Sequence, residues 1–108
     1  MAQNFRRYTY NSVGTGAQAV YTANSYDAIV GISLSNILST AITVDCYIND
    51  GSNNIYLVKD APIPTGGSLQ ILDGGAKFVV QALDVLSVKS SDAASVDVWV
   101  SAVDAIST

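Results

Sequence analysis

Val96, Val98, Val100 and Ala102 alternate with Asp97, Trp99, Ser101 and Val103, a strict period of two in the last strongly apolar segment of the chain. In an extended chain successive side chains point to opposite faces, so this segment reads as a strand with two unlike sides. The same alternation recurs in Val30-Gly31-Ile32-Ser33-Leu34-Ser35 and in Ile42-Thr43-Val44-Asp45-Cys46-Tyr47-Ile48. No long stretch carries the 3.6-residue period of an amphipathic helix, and the chain is expected to be all-β. The inward positions give an expected core of Val30, Ile32, Leu34, Val44, Cys46, Ile48, Leu57, Leu69, Ile71, Val79, Leu86, Val88, Val96, Val98 and Val100.

Turn residues divide the chain into short extended pieces. Strands are expected from Phe5 to Asn11, Gln18 to Thr22, Ala28 to Asn36, Ala41 to Asn49, Ile55 to Ala61, Ser68 to Leu72, Lys77 to Gln81, Val85 to Ser90 and Ser95 to Asp104. The first two should be edge elements, and the strands beginning at Ala28 and Ala41 should be central. Asp50-Gly51-Ser52-Asn53-Asn54 has the composition of a hairpin loop. Pro62 and Pro64 cannot donate to a ladder and are expected to interrupt pairing. About eight short strands, punctuated every eight to twelve residues by Gly, Asp, Asn or Pro, point to an antiparallel β-sandwich or small jelly roll. At 108 residues the chain is expected to form one complete, soluble domain over residues 1–108, with residues 1–12 an edge strand or one exchanged between subunits.

Composition excludes several kinds of chemistry. There is no His and no Glu, so the usual base of a nucleophilic site is missing. Ser87-Val88-Lys89-Ser90-Ser91 is the one local Ser-Lys arrangement, and it has the look of a solvated strand end. A formal charge of −4, with Arg6-Arg7 the single basic concentration, argues against a nucleic-acid partner. No segment approaches the ~20 apolar residues of a membrane helix. Cys46, the one cysteine, falls on an inward position and forms no disulfide framework. Calcium could use the oxygens of the Asp50 to Asn54 loop, but that loop lacks the spaced acids of a calcium loop and its residues suit a hairpin. No catalytic residue, metal or cofactor is therefore expected.

The remaining candidates are outward aromatics. Tyr47 and Trp99 fall on outward positions, with Tyr56 expected beside them, and Val103 continues the face of Trp99. Phe5, Arg6, Arg7, Tyr8 and Tyr10 concentrate aromatic and cationic character in the first strand. Such residues suit a subunit interface, and that reading is preferred over simple coverage of the core. A carbohydrate platform competes with it, although no Asn-Asp-Arg cluster stands beside these aromatics in the sequence.

Three segments in this order carry a resemblance over nearly the whole chain. They are Met1-Ala2-Gln3-Asn4-Phe5-Arg6-Arg7-Tyr8-Thr9 with Val13-Gly14-Thr15, then Tyr56-Leu57-Val58-Lys59-Asp60-Ala61-Pro62-Ile63-Pro64-Thr65-Gly66-Gly67-Ser68, and last Val96 to Val103. The chain resembles the small virion structural proteins of tailed bacteriophages, particularly those of cyanophages and other marine phages. The resemblance implies a non-enzymatic virion component, a capsid decoration protein or a tail or neck subunit, found in the virion and in the host cytoplasm during assembly. It carries no residue roles. The expected partners are further copies of the chain, as a trimer, and another virion protein; the alternative is a receptor-binding module that engages a host-surface glycan through Trp99 and neighbouring tyrosines.

Overall fold

The computed structural model describes residues 4–23, 26–72 and 78–104. The turns expected at Asn24-Ser25 and Asp73-Gly74-Gly75, and the start of a strand at Lys77, lie outside them. Among the described residues the strands are β1 (Asn4–Val13), β2 (Gln18–Thr22), β3 (Asp27–Asn36), β4 (Ile42–Asn49), β5 (Asn54–Ile63), β6 (Ser68–Leu72), β7 (Phe78–Val80), β8 (Val85–Ser90) and β9 (Val96–Asp104). All pairings are antiparallel.

The first sheet runs β1-β9-β3-β6, with β7 also on β3, and the second runs β2-β8-β4-β5. β6 pairs with Ile32 to Ser35 of β3 and β7 with Asp27 to Ile29, so the two occupy successive stretches of one edge. Taken as one interrupted strand, they reduce the pattern to the eight strands and two Greek keys of a jelly roll. As expected, β3 and β4 are interior and β1 and β2 lie at edges.

The core lies between the sheets. Ile32, Leu34, Val44, Cys46, Leu86, Val88, Val96, Val98 and Val100 are buried there as alternation requires, while Ile48, Leu57, Leu69 and Ile71 pack against its margin. Two assignments are corrected. β3 carries a bulge between Ile29 and Gly31, so Ile29 takes the inward place and Val30 is 37% exposed. In β7 the pairing of Val79 with the outward Ala28 turns Val79 out, and Phe78 and Val80 point in. The run Phe-Val-Val has no alternation from which that choice could be read.

Pro62 does not end β5, because Thr43 still pairs with Pro62 and Ile42 with Ile63. β5 is an edge strand, where a missing donor can face solvent. Asn36 ties the two sheets together at this end. Its Nδ2 donates to the carbonyls of Thr40 (2.8 Å), Ile63 (3.1 Å) and Pro64 (3.2 Å), and its Oδ1 accepts from Leu38 N (2.8 Å).

Candidate functional site

The outward face of the first sheet changes character along its strands. Antiparallel register places Phe5 opposite Val103, Val103 opposite Ala28 and Ala28 opposite Val79, a single apolar row across four strands. Ala28 and Val103 are nearly covered, yet neither belongs to the core between the sheets. Phe5 at one end of the row is 82% exposed and Val79 at the other is 62% exposed, with Val30 beside them. A sheet face in water is ordinarily polar, so an apolar row of this length is the unusual feature.

Two rows further along the strands the face becomes polar. Thr9, Trp99 and Ser33 stand in register, and Gln70 beyond them donates from Nε2 to Ser33 Oγ at 2.9 Å. Trp99 is half exposed, with the Arg7 guanidinium 5.6 Å from its ring centroid. A shallow groove of about 730 Å³ opens here, lined by Arg7, Thr9, Tyr10, Asn11, Asp97 and Trp99 among others. Asp97 Oδ1 accepts from the Ser12 backbone N at 3.0 Å, where β1 bulges and Ser12 adopts φ +56°. The pairing of β1 with β9 thus brings Asn11 and Arg7 beside Trp99 and its same-strand neighbour Asp97, an Asn-Asp-Arg cluster not expected from the sequence.

Of the even-numbered residues of β1, Tyr8 turns inward, while Arg6 and Tyr10 stay exposed at the sheet edge. Tyr8 is half-buried, its ring centroid 4.4 Å from that of Tyr21 and its hydroxyl donating to Asp104 Oδ1 at 3.2 Å. Arg6 reaches the same carboxylate, Nε to Oδ2 at 2.6 Å. Tyr21 donates to the fully buried Asp27. Burial first, and then the neighbouring carboxylates, hold the Tyr8 and Tyr21 phenols above their ordinary pKa range. Arg6 and Tyr8 therefore meet at the Asp104 carboxylate at one end of the sandwich, with Tyr8 partly covered and the Arg6 side chain still exposed.

Tyr47 and Tyr56 lie on the other sheet, on its outward face. Their ring centroids are 5.0 Å apart, Lys59 Nζ sits 4.9 Å from the Tyr56 ring, and Lys59 approaches Asp45 at 3.9 Å. The sequence grouped these tyrosines with Trp99 as outward aromatics; the fold separates them onto opposite sides of the molecule.

The remaining candidates have local explanations. Asp50 Oδ1 accepts from Ser52 N (3.0 Å) and Asn53 N (2.9 Å), and these bonds hold its carboxyl below the ordinary range. Gly51 at φ +99° completes a hairpin in which Asn49 Oδ1 accepts from Gly51 N at 2.8 Å and Asn54 Oδ1 from Asn49 Nδ2 at 2.8 Å. Among the described residues no three His, Cys, Asp or Glu side chains converge as metal ligands. Ser87 and Lys89 stand in register with Tyr47 and Asp45 of β4. Cys46 is fully buried, and burial pushes its thiol up to about 12.

Solved structures share this fold, among them a phage capsid chain and a pilus chain. Over 95% of its length the chain is similar to a chain of the acidic stable capsid structure of Helicobacter pylori bacteriophage KHP30, covering 87% of that chain with a TM-score of 0.60 at 11% identity. Over 94% it is similar to a chain from Bacillus endospore appendages, described as disulfide-linked pili, covering 84% of that chain with a TM-score of 0.55 at 19% identity. At these identities the likeness is one of fold. No family model matches the chain, and no curated protein matches its sequence.

Sequence reading missed Ala28, Val30 and Val79 as surface, and Thr9, Asn11 and Asp97 as neighbours of Trp99. Ala28 and Val30 are turned outward by the bulge in β3 and Val79 by its pairing, Thr9 and Asn11 come beside Trp99 through the pairing of β1 with β9, and Asp97 shares the face of Trp99 by alternation alone. The available signal was the odd-numbered series Phe5, Arg7, Thr9 facing the odd-numbered series Asp97, Trp99, Ser101, Val103, legible once β1 is known to pair with β9.

Proposed function

We propose that this chain is a non-enzymatic structural subunit of a phage particle, a capsid decoration protein or a tail or neck component, which self-associates through the outward face of its first sheet. The observation that carries the reading is the row Phe5, Val103, Ala28, Val79, whose two ends are the most exposed apolar side chains of the sheet face. Fully burying side chains of this size stabilises by ~1.5 to 3 kcal/mol each, and among the described residues of this chain nothing covers Phe5 or Val79. A second copy of the same surface would.

Fold alone would not license this reading, since jelly rolls host many functions. The setting is supported by the likeness to a chain from a phage capsid and by the resemblance to tailed-phage virion proteins. The second neighbour, from a pilus, adds another assembly of repeated subunits on the same fold. Unlike that disulfide-linked family, this chain has one cysteine, and Cys46 is sealed in the core, so its contacts would be non-covalent. A symmetric trimer is the expected state, with attachment to another virion protein.

Sedimentation of the purified chain across a hundredfold concentration range tests the reading. A species of three chain masses is expected throughout. A monomer at every concentration would overturn self-association.

A further inference from the structure

We propose that the groove around Trp99 is a saccharide-binding site, distinct from the apolar row and independent of the assembly reading. A pyranose ring offers an apolar C–H face ringed by hydroxyl groups. The groove offers the complement: one half-exposed indole, with a guanidinium, a carboxylate, an amide and a hydroxyl around it from Arg7, Asp97, Asn11 and Thr9. Its volume of about 730 Å³ falls within the range of small-molecule sites.

Three features mark the groups as available and positioned. Arg7 has no carboxylate within ion-pair distance among the described residues and lies over the Trp99 ring, so its fork of donors remains free for a ligand oxygen. Asp97 is held by the Ser12 N–H while still lining the groove, and a carboxylate so fixed loses little freedom on accepting hydroxyl donors. The neighbours of Trp99 across the sheet, Thr9 and Ser33, are short and polar, and Ser33 is already engaged by Gln70. The indole is thus half exposed beside short polar neighbours, one of which, Ser33, is fixed by a hydrogen bond.

A protein partner would favour a different surface. The buried centre of a protein interface is apolar and depleted in charge, which describes the row at Phe5 and Val79 and not this groove. Aromatic stacking framed by fixed polar groups orients a sugar, because each hydroxyl must find a partner when it leaves water.

Trp99 is the single tryptophan of the chain, so emission excited beyond the tyrosine absorption band reports on this groove alone. The full chain would be titrated with neutral isomaltooligosaccharides, acidic oligogalacturonates and bacterial lipopolysaccharide O-chain fragments. A saturable change in emission is expected with at least one of them, weakened tenfold or more in Asp97→Asn and in Asn11→Ala, with melting temperature and oligomer mass unchanged. Arg7→Ala should weaken acidic saccharides more than neutral ones. The proposal is overturned if no probe gives a saturable change, or if the variants titrate like the parent. It is also overturned if emission follows protein concentration in step with mass, which would make the groove a subunit contact.

Discussion

The two outward faces of the sandwich carry similar residue types and use them differently. On the second sheet, Tyr47, Tyr56, Lys59 and Asp45 engage one another: ring on ring, ammonium on ring, ammonium toward carboxylate. On the first, Phe5 and Val79 project into solvent, and Arg7 rests on Trp99 with its donors unused. An exposed aromatic closed within its own chain gains little from a partner. One left open at the end of an apolar row, or in a polar-rimmed groove, gains from burial what the isolated chain does not provide. Exposure alone does not separate these cases, since Tyr56 and Trp99 are both about half exposed; what each ring already touches does.

The sharpest contrast on the first sheet is between consecutive residues. Val98→Asp buries an unpaired carboxylate between the sheets and should cost at least ~3 kcal/mol, a large part of the roughly 5 to 15 kcal/mol available to a domain of this kind. Trp99→Ala should cost ~1 to 2 kcal/mol, for the covered half of the indole and an exposed cation–π contact. Thermal melts by circular dichroism would show one variant unfolded and the other still folded; a cooperatively melting Val98→Asp would mean that the two faces of β9 are reversed.

Tyr21→Phe comes next. Removing the phenol that donates to buried Asp27 should cost ~1 to 3 kcal/mol at neutral pH. Its pH dependence has a definite sign. Because burial and Asp27 raise the folded phenol above the ordinary value of about 10, its contribution is complete below pH ~10 and is lost as pH rises beyond it, when only the unfolded chain ionises. The parent melting temperature should therefore fall from about pH 10 upward, and Tyr21→Phe should show a shallower fall. Equal slopes would remove Tyr21 from the account.

On the second sheet, Tyr47→Ala or Tyr56→Ala should cost ~0.5 to 1.5 kcal/mol for the lost ring pair and leave the solution mass unchanged. The smallest expected change is at Cys46, whose thiol should be silent to an aromatic disulfide reagent in the native chain and react fully in denaturant. Prompt native reactivity would mean that the space between the sheets is open.

The two sheets differed in how far the sequence disclosed them. Where alternation was long and unbroken, as in Val96 to Ala102 and Ile42 to Ile48, it identified both the strand and its buried face. It failed at Val30, where one extra residue in β3 shifts the phase, and at Val79, where a three-residue strand has no phase of its own. Pro62 misled because a proline reads as a break until the strand is known to be an edge. The outward aromatics were legible one at a time. Their grouping was not, because Thr9, Asn11 and Arg7 reach Trp99 through a pairing some ninety residues apart in sequence, and nothing local to either strand names the other as its partner.

The most direct test of the difference between the faces is the solution mass of two double variants, measured by light scattering beside the parent. Phe5→Asp with Val79→Asp should dissociate the assembly to monomers of native far-ultraviolet circular dichroism, while Tyr47→Ala with Tyr56→Ala should retain the parent mass. Dissociation by the tyrosine pair, with the Phe5 and Val79 pair still assembled, would contradict the account.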